Sequence, residues 1–169
     1  TKASGVANVK LKYIVFRGEI TFNEYGTNSS TLVGQANAEG AIAVGAVLYS
    51  NTPEYGNPPT IASFSSRGGT LVNGIDRNKP DLSAPNGVNT TVDLEVPPDP
   101  FPNFFGTSAA APHAAGVAAL LAEATTKYYG TSITPSAIKS ILQGTAIDMH
   151  DAGYDNLSGY GLIQADAAL

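Results

Sequence analysis

The chain contains no cysteine. That one absence excludes a disulfide scaffold, a thiolate zinc site and a cysteine nucleophile. Charge is scarce too: 14% of residues are Asp, Glu, Lys or Arg, against a usual share of about 25%. Nine Lys and Arg face 14 Asp and Glu, for a net charge of −5, and the cations never cluster. Sequence-independent nucleic-acid binding needs clustered cations to displace counterions, so no nucleic-acid partner is expected. The opening residues, TKASGVANVKLKY, hold no apolar core of signal-peptide length. The longest run of small apolar residues, 109–122, is interrupted by Pro112 and His113 and is too short to span a bilayer, so no membrane partner is expected. The chain starts at Thr1 and its single methionine is Met149, so a processed or excised piece of a longer product is expected.

What is present suits a folded α/β domain. The 169 residues are enough to bury a core, and 43% of them are hydrophobic, which excludes a disordered tail. Residues 9–16 (VKLKYIVF) begin as an alternation and end wholly apolar, the pattern of a strand entering the interior. Residues 41–48 (AIAVGAVL) form a short apolar run bounded by Gly40 and by Ser50-Asn51-Thr52-Pro53. Strands buried on both faces look like this and belong to parallel sheets. Shorter strands are expected at 61–65 and 81–84, each ended by Gly or Pro. Residues 86–102 carry four prolines among acidic residues and read as an extended crossing of the surface.

A helix is expected from Ser108 to about Tyr128. It is apolar on nearly all sides and built from alanine, which predicts deep burial. Pro112 is tolerated within its first turn, where its missing N–H has no intrahelical partner. A second helix has Thr134 as N-cap, Pro135 at its first position and Ile138, Ile141 and Leu142 along one stripe. A turn at Gly159-Tyr160-Gly161 and a short helix at 162–169 close the chain. This order is that of an α/β fold.

Ser108 draws attention by its place. It follows Gly106 and Thr107 and opens an alanine helix, where free N–H groups and the positive end of the helix dipole favour a developing oxyanion. Position alone favours a plain helix cap, since Ser and Thr are ordinary caps.

The surrounding text decides between these. GTSAAAPHAAG, at 106–116, resembles the GTS-x-A-x-PH-x-AG nucleophile motif of the subtilisin-like serine proteases, the subtilases. AIAVGAV at 41–47 is similar to the family's buried VIAVGA strand, and IASFSSRG at 61–68 to its A-x-FS-x-x-G segment. KPDLSAP at 79–85 matches its KPD-x-x-APG stretch, with Asn86 before Gly87 as a one-residue departure. SGYGLIQA at 158–165 echoes the closing G-x-G-x-I/V-x-A. The blocks stand in family order over 31–169. The resemblance implies part of a doubly wound parallel-sheet fold, its C-terminal portion only. Residues 1–30 fit no block and read as a strand-rich lead-in, an insertion before the core.

By the same resemblance Ser108 is the nucleophile, Gly106 and Thr107 shape its turn, and the Ser108 amide helps hold the oxyanion. Subtilisin's triad runs Asp, His, Ser along the chain. Here no histidine precedes Ser108; His113 belongs to the PH of the motif, and His150 reads as a solvated loop residue. The family's Asp motif, its H-G-T-H motif and its oxyanion Asn are absent from the sequence. The chain is therefore expected to be inactive alone, a fragment of a serine endopeptidase whose N-terminal half supplies the rest. The alternative is a noncatalytic binding or structural module on a subtilase scaffold.

The resemblance further implies a polypeptide substrate, with Gly34 at the floor of part of the specificity pocket; a plain loop there is an equal reading. It implies calcium as a candidate cofactor with no metal ligand set assigned: Glu39, Asp76, Asp148, Asp151 and Asp155 are the carboxylates at hand, none has EF-hand spacing, and acidic surface loops without metal are the commoner reading. A secreted or cell-surface location is implied as well. A sheet cut in half exposes edges and apolar faces, so a homodimer through the cut face is expected.

Overall fold

The first strand, β1 (Val44–Leu48), falls inside the apolar run expected at 41–48. In the computed structural model, which describes residues 5, 13–15, 21–24, 26, 30–93 and 100–169, it pairs with a strand nearly 40 positions later. Between them lies a hairpin that the sequence reading did not foresee: β2 (Leu71–Val72) and β3 (Ile75–Asp76) run antiparallel about Asn73-Gly74. Asn73 (φ 52°) and Gly74 (φ 80°) are both left-handed, as a two-residue Asn-Gly hairpin requires.

Strand β4 (Leu82–Asn86) pairs in parallel with β1, from Val44↔Leu82 to Leu48↔Asn86. It begins one residue after the expected start at 81 and runs two residues beyond 84. Single bridges widen this pair: Ile61 lies antiparallel to Val47, Leu162 parallel to Ser83, and Ile147 antiparallel to Leu162. The expected strand at 61–65 is thus reduced to one bridge. Its Ser65 turns inward, where its hydroxyl accepts the Ala46 N–H at 2.9 Å.

Helix α1 (Thr107–Tyr129) lies across β1 and β4. Alternation along the strands sends Ala46, Leu82 and Ala84 toward the helix, where they meet Ala110 and Ala114. Helix α2 (Pro135–Gly144) closes this core with Leu142; its Thr134 cap accepts the Ala137 N–H at 3.2 Å, as the sequence predicts. Val47 points to the opposite face, onto Met149 and Leu162. Both faces of the strand pair are covered, and the α/β class holds. Helix α3 (Ala165–Ala168) is shorter than 162–169 because Leu162 is taken into the sheet and Ile163 into the core.

Two expectations change. Helix α1 is not deeply buried all round: Ala109, Ala110, Ala114 and Leu121 are buried, whereas Ser108, Ala111, Pro112, Ala115, Gly116, Ala119 and Leu120 form an exposed stripe. The described residues pack on one side of it only, and an alanine-rich composition does not distinguish a covered face from an open one. The segment 86–102 is also more than a surface crossing. Its start zips antiparallel onto 102–104, through Gly87 N–H to Phe104 O (2.9 Å) and Thr90 N–H to Pro102 O (2.8 Å). Residues 94–99 and most of the 1–30 lead-in lie outside the described residues. Of the strand expected at 9–16, only 13–15 are described, and they belong to no strand.

Candidate active site

The zipped segment delivers the chain from the end of β4 to the start of α1. Gly106 is the N-cap, at φ 109° and ψ 171°, a conformation that side chains disfavour. Its carbonyl accepts the Ala109 and Ala110 N–H groups at 3.0 and 3.2 Å. Among the described residues the Thr107 and Ser108 N–H groups have no partner, as the geometry of a helix start dictates. Neither hydroxyl caps the helix. Ser108 is exposed, and its Oγ makes no hydrogen bond among the described residues. The turn therefore presents a free hydroxyl beside free amides at the positive end of a 23-residue helix.

Asn86, the last residue of β4, supports this turn from below. It is 1% exposed, and its Oδ1 accepts the Gly106 N–H at 3.2 Å. Its role was missed above, although the signal was there: it is the residue that interrupts the KPD-x-x-APG pattern.

The two histidines do not join Ser108. His113 Nδ1 is bonded to Ala109 O at 2.7 Å, which holds the ring against its own helix. Five residues along, it also points roughly 140° around the helix from Ser108. His150 is exposed on a loop at φ 57°. Gly34 opens a short 3₁₀ turn (Gly34–Asn37) at φ 64°, with open space where a Cβ would stand. Asn37 anchors that turn by donating to Thr70 O at 3.3 Å, and no hydrogen bond among the described residues links it to residues 106–108.

At the other end of β4 lies a cluster of buried charge. Asp81 is fully buried; its Oδ2 accepts the Ala43 N–H at 2.7 Å and Lys79 Nζ at 2.6 Å. Lys139 from α2 pairs with its Oδ1. Lys79 Nζ also donates to Ala41 O. Burial pulls the Lys79 ammonium below the ordinary lysine range, and the Asp81 carboxylate pulls against that shift. The cluster ties the entry of β1 to β4 and α2.

Two of the five carboxylates available to calcium are committed to turns. Asp148 accepts the Met149 and Gly153 N–H groups at 2.9 and 2.8 Å, and Asp155 accepts the Leu157 N–H at 2.6 Å and the Ser158 hydroxyl at 2.6 Å. Among the described residues no three His, Cys, Asp or Glu side chains converge, so the donors present do not make a carboxylate cage.

A parallel strand pair that feeds a helix headed by an exposed serine makes this an α/β protein. The chain belongs to the subtilase family, whose model matches residues 18–161. It is 31% identical to fervidolysin of Fervidobacterium pennivorans, over 93% of this chain and 22% of that protein. It is likewise 31% identical to an extracellular serine protease of Serratia marcescens, over 83% of this chain and 11% of the relative. The chain thus spans about a fifth or less of the length of these relatives. Among solved structures it resembles fervidolysin, described as a keratinolytic enzyme related to subtilisin (TM-score 0.55, 33% identity, 80% of this chain and 20% of that one). It also resembles the CspB protease of Clostridium perfringens (TM-score 0.61, 29% identity, 79% and 26%). No helix among the described residues is long and apolar enough to cross a membrane.

Proposed function

We propose that Ser108 is the nucleophile of a serine endopeptidase. Its Oγ attacks a peptide carbonyl, its proton passes to a general base, and the resulting acyl-enzyme is released by water. The observation that carries this is the Ser108 turn itself: an exposed, unbonded hydroxyl beside unbonded backbone amides at a helix head. The Ser108 N–H donates to the oxyanion, while Gly106 and Thr107 hold the turn.

A serine hydroxyl is a weak nucleophile without a base. His113 is bound to its helix and His150 sits exposed on a loop, so base, acid and oxyanion Asn come from outside these 169 residues. The chain by itself is inactive. Its substrate is a polypeptide, with Gly34 flooring part of the pocket, and the intact protein works outside the cell, as the name of the Serratia relative says of that protein. Calcium, where it binds, is held by loop carbonyls more than by a carboxylate cage. The exposed stripe of α1 meets the N-terminal half of the catalytic domain and, in the isolated chain, a second copy.

A fluorophosphonate probe tests this. In the full-length protein it labels Ser108, and Ser108→Ala cuts labelling about a thousandfold or more. The isolated chain labels no faster than its denatured form. Labelling that survives Ser108→Ala overturns the assignment, and a full-length protein that never labels is a noncatalytic module on this scaffold.

A further inference from the structure

Asn86 is buried to 1% exposure, yet half of its amide goes unused. Oδ1 accepts the Gly106 N–H at 3.2 Å, while Nδ2 is the one buried side-chain polar atom among the described residues with no hydrogen-bond partner. A buried donor left unpaired is a standing cost that an apolar side chain would avoid, so its retention calls for an explanation.

The surroundings supply one. The Asn86 backbone is fixed on each side: its carbonyl accepts the Tyr49 N–H at 2.9 Å, and the next residue, Gly87, donates to Phe104 O at 2.9 Å. Asn103 Nδ2 also donates to Gly87 O at 2.8 Å. A side chain rising from so constrained a strand end has a fixed origin, and its oxygen meets the one N–H whose position sets the Gly106 turn. Gly106 has no side chain of its own to hold φ at 109°. The neighbouring carbonyl bonds, Gly106 O to Ala109 and Ala110, fix the helix side of the turn; Asn86 fixes the sheet side.

We propose that Asn86 is a positioning residue for Ser108: through Gly106 it sets where the Ser108 hydroxyl and amide stand relative to a bound carbonyl. Its burial keeps it from touching substrate, so it acts only through the turn. This rests on Ser108 being the nucleophile. Displacing a reacting group by fractions of an ångström slows chemistry while leaving substrate binding largely intact.

The test uses the full-length protein with Asn86→Ala, Asn86→Ser and Asn86→Asp. Ala removes the acceptor, Ser stops one atom short of Gly106, and Asp keeps an oxygen in place while eliminating the unpaired amino group. The readouts are the rate of fluorophosphonate labelling per folded molecule, kcat and KM on a peptide substrate, and Tm. Asn86→Ala and Asn86→Ser are expected to lower labelling and kcat about tenfold with KM within about twofold. Asn86→Asp is expected to recover at least a third of the native rate. Native kcat in a folded Ala or Ser variant overturns the proposal. So does a loss in which rate merely follows Tm, or an Asp variant as slow as Ala. Should Ala fail to fold, Ser and Asp carry the same comparison. Labelling that is insensitive to Ser108→Ala sinks the nucleophile assignment instead, which separates the two failures.

Discussion

The two ends of β4 are only five residues apart and are built on opposite plans. At Asp81 every charge is spent: one buried carboxylate serves Ala43, Lys79 and Lys139, and three segments close around it. At the Asn86 end, the Gly106 turn that Asn86 supports offers a free hydroxyl and free amides. Polar groups that hold a fold together satisfy one another, whereas groups meant for a visitor must stay unsatisfied until it arrives. The asymmetry matches the general habit of parallel sheets, which place ligands beyond the carboxyl ends of their strands. On the function proposed for Ser108, the amino end of β4 is the anchor and the carboxyl end the working edge.

That contrast is open to attack at both ends. Asp81→Ala strands two lysines, one of them buried, and is expected to cost about 3–5 kcal/mol in urea unfolding of the full-length protein. A loss under about 1 kcal/mol would mean that the anchor is ornamental. Gly161→Ala comes next. A Cβ there would stand 2.0 Å from Ile147 O, on a backbone at φ 108°. About 2 kcal/mol or more should be lost, read by the same unfolding midpoint.

A smaller effect is expected in alkali. The Tyr154 hydroxyl donates to Lys79 O at 3.0 Å, and burial, aided by Asp76, Asp155 and Asp81, raises its pKa above the ordinary tyrosine value. Because the folded chain favours the protonated phenol, this stability is complete below the unfolded pKa and fades as pH climbs beyond it. Tyr154→Phe should flatten that decline in Tm between neutral and strongly alkaline buffers. Smallest of all, Ser108→Ala should shift stability by no more than about 0.5 kcal/mol, because the side chain is exposed and bonds nothing described. Labelling collapses while the fold stands; if both fell together, the working edge would be an anchor too.

Much of the fold was legible because local rules governed it. The alanine run placed α1 within a residue at each end, and Thr134-Pro135 placed the start of α2. Strand β1 showed itself by lacking polar residues. The Asn73-Gly74 hairpin carries an explicit turn signal, but its flanking strands are only 2 residues each, too short for a period-2 pattern to show. The zip between 87–90 and 102–104 gave little warning, because prolines and acidic residues conceal pairing that depends on backbone alone. The open stripe of α1 could not be read at all: alanine looks the same facing a sheet or facing water. At the site, the serine motif was plain, whereas Asn86 matters through a bond to a residue 20 positions away.

The parallel pairing of β1 with β4 also bears on how the molecule assembles. Joining Val44 to Leu82 closes a loop of nearly 40 residues, an entropic toll of about 3 kcal/mol before any rung of the ladder repays it. Helix α1 needs no such wait, since its contacts are local and helices form within microseconds. The helix should therefore be present early, with its small residues a ready platform, and the sheet should condense onto it later. On that order of events Asp81 closes the slow step, and its variants should fold more slowly than their loss of stability in the helix alone would explain.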